Sequence, residues 1–286
     1  VNAAVPLTRR SAWVLGLASL AGLMMLVWPL LVRVPASWSD GSRLDPPFLF
    51  LALLPVVVAV VLAELSEGGL DARSLALLGV LSAVNAVARA ISPGLAGVEL
   101  VFFLLILAGR VLGPGFGFAL GCTSLLASAL MTGGVGPWLP FQMLCSAWVG
   151  MLAGLLPQRL GGRRLRGRAE IVLLAAYGVL AAYLFGALMN LSSWPFALGS
   201  ATGAVSADGT AGGLTYVPGA PVLENLHRFA VYTLLTSTGG WDTMRAITNA
   251  VAIVVLGPSI LAVLRRAARR ATVTGRVADP AELSAR

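Results

Sequence analysis

Long uncharged runs separated by arginines set the pattern of this chain. Ser11 to Val32 carries no charge over 22 residues, close to the roughly 20 residues that a helix needs to cross about 30 Å of hydrocarbon. Pro46 to Ala63 is a second such run and Ser74 to Ala88 a third that ends at Arg89; a fourth apolar stretch lies around Val98 to Leu112, with Glu99 and Arg110 near its ends. Between Arg110 and Arg159 there is no charge for 48 residues, enough for two spans, and Gly133-Gly134-Val135-Gly136-Pro137 divides them. Ile171 to Leu191 fits a seventh span and Ala246 to Leu264 an eighth, ending just before Arg265 and Arg266. The pattern predicts an all-α integral membrane protein with about eight transmembrane helices.

Two segments depart from it. Ser192 to Arg245 opens as a loop-forming mixture around Gly199, Gly203, Gly209, Gly212 and Gly213. It then becomes Leu223-Glu224-Asn225-Leu226-His227-Arg228-Phe229-Ala230-Val231-Tyr232, which reads as a short interfacial or re-entrant helix on the outer face. Beyond Arg265 the chain is basic, then rich in Pro and Ala, as expected of a frayed cytoplasmic tail.

Composition strengthens the membrane reading. With 58% hydrophobic and 11% charged residues in 286, the apolar surface exceeds what one soluble core hides, so lipid must solvate much of it. The 20 basic residues are all arginine and outnumber the 12 acids, for a net +8. No basic stripe alternates with stacking aromatics, which argues against nucleic acid. The arginines follow topology instead. With eight spans and a cytoplasmic N-terminus, Arg9, Arg10, Arg73, Arg110, Arg159, Arg163, Arg164, Arg166, Arg168 and the tail arginines from Arg265 on fall inside. Only Arg33, Arg43, Arg89, Arg228 and Arg245 fall outside, as the positive-inside rule requires. Both termini are then cytoplasmic, in a bacterial inner-membrane arrangement. Arg9-Arg10 and the apolar run that follows resemble a signal peptide, but the run exceeds the usual length of one and is read as a retained helix.

Enzyme signatures are weak or missing. Asp40-Gly41-Ser42-Arg43 matches the opening of the phosphatidyl-alcohol transferase motif, but the metal-holding aspartates that must follow are absent. His227 is the only histidine and has no Asp or Ser at catalytic spacing. Cys122 and Cys145 form no metal or disulfide pattern, and no phosphate loop is present to power ATP hydrolysis. No catalytic residue, metal or intrinsic cofactor is expected.

The polar residues at membrane depth carry the remaining chemistry. Asn85 and Arg89, four apart, share one face of the third span. Trp138, Gln142, Asn190, Trp194, Arg245 and Asn249 fall at outer helix ends or one turn inside them by the same topology. Their convergence predicts an outward-facing pocket for a polar ligand; helix–helix hydrogen bonds and an interfacial tryptophan belt are the alternative. Small residues on the third span, Gly79, Ser82, Ala83, Ala86 and Ala90, give small-xxx-small spacing that permits close approach of a partner or of a neighbouring helix.

These residues resemble a family. Leu107-Ala108-Gly109-Arg110-Val111-Leu112-Gly113-Pro114-Gly115-Phe116-Gly117-Phe118-Ala119-Leu120-Gly121 is similar to the LAGxxxGPxxGfxxG signature of the substrate-binding S components of energy-coupling factor (ECF) transporters. Gly134-Val135-Gly136-Pro137-Trp138-Leu139-Pro140-Phe141-Gln142-Met143 followed by Gly150-Met151-Leu152-Ala153-Gly154, then Met189-Asn190-Leu191 with Trp194, then Trp241-Asp242 with Arg245-Ala246 and Asn249, resemble further blocks of one branch. The likeness runs from about Ala76 to Arg270.

The resemblance implies a six-helix S domain over residues 71–270, with a long external loop at 192–245. It is preceded by a two-helix extension at 1–70 outside the common fold and followed by a tail at 271–286. It implies capture of a vitamin or related micronutrient from outside, with a lean to a cobalamin-type ligand. Delivery inward would need a coupling T component and two cytosolic ATPase subunits. Binding is expected at Asn85, Arg89, Trp138, Gln142, Asn190, Trp194, Trp241, Arg245 and Asn249, and T-component contact at Gly79, Ala83, Ala86 and Ala90. The rival class is a non-transport membrane protein, either a lipid-modifying enzyme or an assembly scaffold.

Overall fold

The computed structural model describes residues 9–31, 72–92, 98–136, 138–196, 214–217 and 219–275. The second predicted span, Asp40 to Arg43, the Gly199 to Gly213 segment and the end of the tail lie outside the described residues. The elements are α1 (Arg9–Leu26), α2 (Trp28–Leu31), α3 (Ala72–Ile91), α4 (Val101–Leu112), α5 (Pro114–Thr132) and α6 (Leu139–Leu155). A small hairpin of β1 (Arg159–Leu160) and β2 (Arg163–Arg164) leads to α7 (Arg168–Ser193) and a 3₁₀ turn (Trp194–Phe196). Then come α8 (Val222–Thr233), a π-helical segment (Leu234–Asp242) and α9 (Thr243–Gly275). The protein is an all-α membrane protein. Four helical stretches, α3, α5, α7 and the continuous Val222–Arg269, are long and apolar enough to cross a bilayer, while α4 and α6 are apolar but shorter.

Helix α4 is the axis of the bundle. Val101-Phe102-Phe103-Leu104-Leu105-Ile106-Leu107-Ala108 is apolar on every side, as a helix enclosed by others must be, and every residue of α4 except Val111 is buried. It packs against α5, α6, α7 and α9. Its 12 residues span only about 18 Å, well under the hydrocarbon thickness, which is tolerable because protein surrounds it.

Glycines bring α4, α5 and α6 into backbone contact. A Cβ on Gly109 or Gly117 would collide with the Gly150 carbonyl, one on Gly150 with the Gly117 carbonyl, and one on Gly121 with the Ala147 backbone. A Cβ on Gly154 would lie 2.6 Å from the Pro114 nitrogen and 2.9 Å from the Gly109 oxygen. In lipid, helices gain nothing by hiding apolar surface from one another, so close van der Waals packing has to hold them. Between α4 and α5, Gly113 adopts φ 111°, a conformation that side chains disfavour. Its amide donates to Gly109 O (3.0 Å) and its carbonyl accepts from Gly117 (3.0 Å), so the turn is fully bonded.

Three sequence expectations are corrected here. The first span breaks at Val27, because the ring of Pro29 conflicts with helical continuation through the preceding turn. Helix α1 still docks on the bundle, with the Trp148 indole donating to Ser19 Oγ (2.9 Å). The Leu223 to Tyr232 segment is not a separate short helix. It continues through the π segment into α9, and the last span is longer than Ala246 to Leu264 at both ends. On α3, the face formed by Ser74, Leu78, Ser82, Asn85 and Ala86 is buried, with Ser82 bonded to Thr123 (2.7 Å) and Asn85 to Ser124 (3.0 Å). Ala86 therefore cannot belong to a free interface. Gly79 and Ala83 do lie on the exposed face, beside Leu75, Val80, Val84 and Val87, and Ala90 stands half-buried at its edge.

The seam yields the first prediction. Gly150→Val should destabilise the purified protein in detergent by at least the roughly 1–3 kcal/mol typical of overpacking, read as a lower melting temperature. Gly79→Val, where an added Cβ meets nothing within 4 Å, should leave it unchanged.

Candidate ligand-binding site

Two buried ionic networks occupy opposite ends of the bundle. At one end Glu170 on α7 accepts from Arg110 Nε (2.9 Å) and Arg265 Nη2 (2.6 Å). Arg110 Nη1 also donates to the carbonyls of Leu156 (2.9 Å) and Pro157 (3.1 Å), just past α6. One carboxylate and two guanidiniums thus tie α4, α6, α7 and α9 together. In the sequence Arg110 marks only a topology boundary; the fold buries it almost completely.

At the other end the hub is Glu99, just before α4. Its Oε2 accepts from Arg245 Nε (2.7 Å), and its Oε1 lies 3.7 Å from Arg89 Nε. Its carbonyl accepts from Asn249 Nδ2 (3.0 Å). Arg89 also donates to Ser128 Oγ (3.1 Å) and Gln142 Oε1 (3.3 Å). Arg245 Nη1 donates to Asp242 Oδ1 (2.8 Å), and Ser237 Oγ donates to Asp242 Oδ2 (2.8 Å). The Arg245 guanidinium lies over the Phe185 ring (5.1 Å) and the Phe102 ring (5.9 Å), where the ring quadrupoles attract it. The network holds two guanidiniums and two carboxylates, so it is balanced in charge.

The π segment builds the wall of this end. Its i→i+5 hydrogen bonding brings residues five apart onto one face, which lets Ser237 reach Asp242 within a single turn. Opposite it, a Cβ on Gly186 would strike the Asp242 carboxylate, so only glycine lets α7 approach. Between the two lies a cavity of about 270 Å³, walled by Phe185, Gly186, Met189 and Asn190 from α7, by Tyr232 from α8, by Thr236, Ser237, Trp241 and Asp242 from the π segment, and by Arg245. Its chemistry is aromatic and hydrogen-bonding. Asn190 Nδ2 is buried there without a protein acceptor, a donor whose desolvation is left uncompensated.

The sequence-predicted residues divide three ways. Asn190, Trp241 and Arg245 line the cavity. Asn85, Arg89, Gln142 and Asn249 lie outside its wall, in the polar contacts of α3, α5, α6 and α9. The Oδ1 atoms of Asn85 and Asn249 are buried without donors. Trp138 and Trp194 belong to neither group. Trp138 is 51% exposed and lies against Gly136. Trp194 is buried in a separate cluster with Tyr216 (5.3 Å) and Phe229 (5.5 Å), and its indole donates to Leu214 O (2.7 Å). It anchors residues 214–217, where Asn225 brackets Val217 by donating to its carbonyl (2.9 Å) and accepting from its amide (3.0 Å). Arg89 and Arg245, both expected to bind ligand, find partners within the protein in Glu99, Asp242, Ser128 and Gln142.

Sequence reasoning missed Glu99 and the polar π residues Thr236 and Ser237. A signal for Glu99 was present, since an acid beside an apolar run needs a buried partner. The π segment had none, because nothing in Thr236-Ser237-Thr238-Gly239-Gly240 distinguishes a widened helix from a loop.

The geometry defines a polytopic membrane protein with a small cavity at one end and no catalytic constellation among the described residues. A family model described as ECF transporter, substrate-specific component matches residues 73–257, more than half of the chain, and the protein belongs to that family. Its members are substrate-binding subunits of transporters rather than enzymes. No curated protein and no solved structure shows significant similarity to the chain.

The Glu99 hub gives the second prediction. Glu99→Gln keeps the shape but leaves Arg89 and Arg245 facing a neutral amide. Breaking a buried pair in this way costs about 3–5 kcal/mol, so the melting temperature should fall clearly. Arg228→Gln, which removes only an i,i+4 pair with the exposed Glu224, should cost at most about 1 kcal/mol.

Proposed function

We propose that the cavity between α7 and the π segment receives a vitamin or related micronutrient from outside the cell, and that a T component with two cytosolic ATPases drives its delivery inward. The buried Asn190 Nδ2, without a protein acceptor at the cavity wall, carries this reading, because an uncompensated buried donor is costly and an arriving ligand acceptor relieves that cost. Phe185, Tyr232 and Trp241 offer faces for a flat ring. Cavities for drug-sized ligands run from about 300 Å³, so a volume of about 270 Å³ favours a ligand of one or two rings over the much larger corrinoid that the branch resemblance implies. Because Glu99 and Asp242 already neutralise Arg89 and Arg245, those arginines position the wall rather than call for an anionic ligand.

The cavity end is taken as external on the positive-inside rule. Arg110, Arg159, Arg163, Arg164, Arg166, Arg168 and Arg265 stand at the opposite end, against Arg89, Arg228 and Arg245 here. Contact with the T component is assigned to the exposed face of α3 around Gly79 and Ala83, where small residues allow a partner helix close approach. Ala90 flanks it, and buried Ala86 is left out.

Binding tests the first part. A thermal-shift screen against a vitamin panel identifies the ligand; Asn190→Ala should then weaken calorimetric binding several-fold, the roughly 0.5–1.5 kcal/mol of one hydrogen bond, while Trp138→Ala should not. Parent-like affinity in Asn190→Ala means that the cavity is not the binding site. Coupling tests the second part. Ala83→Leu should reduce co-purification with the T component and leave ligand affinity intact, and unchanged co-purification overturns the α3 assignment.

A further inference from the structure

The connection between α6 and α7 is a two-stranded hairpin in which Arg159 pairs with Arg164 and Leu160 with Arg163. Gly161 (φ 56°) and Gly162 (φ 77°) form its turn, with the positive φ at both positions that tight two-residue hairpins favour. The Leu165 amide extends the ladder by donating to Gln158 O (3.0 Å). This register sets two guanidinium-bearing side chains directly opposite each other, which destabilises a ladder unless counter-charge is supplied.

No carboxylate among the described residues supplies it. Arg159, Arg163, Arg164, Arg166 and Arg168 are all exposed, and none takes part in the ion pairs of this end, where Glu170 is turned inward to Arg110 and Arg265. With Glu170 so engaged and Gly167 offering no side-chain cap, the positive end of the α7 dipole adds to the same field. The patch is not purely polar. Leu160, on the hairpin, is 68% exposed, and Leu155, at the end of α6, is 60% exposed. An acidic protein surface would match the arginines but not these leucines. A bilayer surface of anionic lipid matches both, because guanidinium pairs phosphate oxygens in a bidentate way and the leucines sit where the apolar span ends.

We propose that the Arg159–Arg164 hairpin, with Arg166 and Arg168 beside it, is a binding site for the headgroup phosphate of anionic phospholipid, with Leu160 directed toward the acyl region. The site is independent of the ligand cavity at the opposite end.

The test uses the full chain in detergent, titrated with phosphatidylglycerol or phosphatidylcholine, with bound lipid counted by native mass spectrometry. The parent should prefer phosphatidylglycerol. The triple variant Arg159→Gln/Arg163→Gln/Arg164→Gln should lose affinity for it about a hundred-fold, from roughly five-fold per juxtamembrane arginine. Arg228→Gln, at the other end, should retain it. Leu160→Ser should weaken the lipid while leaving any displacement by inorganic phosphate unchanged. Equal binding of the two lipids by the parent, or parent-like phosphatidylglycerol binding by the triple variant, overturns the proposal. Full displacement of the lipid by millimolar inorganic phosphate assigns a free-anion site instead. Loss of co-purifying ATPase or T subunits in the triple variant with lipid binding intact assigns the patch to a protein partner.

Discussion

The contact on which the rest of this structure depends is the meeting of backbones at Gly109, Gly117 and Gly150. Lipid supplies no hydrophobic incentive for one helix to choose another, so specificity has to come from shape, and the closest shape match available to a helix is its own bare backbone. Three helices locked in this way form a core around α4. Because α4 is enclosed, it need not cross the whole hydrocarbon layer. Its shortness has a consequence at the far end. Glu99 stands eleven residues before Arg110, about 17 Å along the helix axis, and so meets Arg89 and Arg245 below the level at which a full-length span would end.

Charge is handled with the same economy. Both networks place carboxylates between guanidiniums, which avoids the several kcal/mol that an unpaired ion costs in a low-dielectric interior. The Arg110–Glu170–Arg265 cluster uses its pairing to fasten four helices together, with α6 held through its terminal carbonyls. The Glu99 cluster uses its pairing to present a wall: Arg245 is held from below by Glu99, from the side by Asp242 and from behind by Phe185 and Phe102. What this wall leaves unspent is neutral hydrogen-bonding capacity, chiefly on Asn190. The one arginine in the lining, Arg245, is already paired, so it adds no free positive charge to the cavity.

Helix α3 joins the two aspects. Its buried face carries polar groups, with Ser82, Asn85 and Arg89 reaching α5 and the Glu99 hub, while Gly79 and Ala83 lie exposed beside that face. The same helix therefore touches the network behind the pocket and offers the face assigned to the partner subunit.

The sequence by itself determined the class and the frame. Charge-free runs located α3, α5, α6 and α7 to within a few residues and the start of α1, because a membrane helix must satisfy its backbone internally and largely excludes charge along its length; the apolar run around α4 was located too, although it carries Arg110. Motif glycines indicated close packing and the family. It also named three residues of the cavity, Asn190, Trp241 and Arg245, since polar groups at membrane depth are rarely idle. Tertiary structure alone decided their partners. Trp194 and Asn190 are four residues apart, yet one fills an aromatic cluster under Tyr216 and the other faces the cavity. Ala83 and Ala86 share a small-residue pattern and lie three apart on α3, yet Ala83 is exposed and Ala86 is buried against the bundle. The widened helix at Leu234 to Asp242 and the pairing of Arg245 with Glu99, 146 residues away, depend on which helices are neighbours. Local periodicity cannot encode that choice, because the interactions that fix it run between segments distant in the chain.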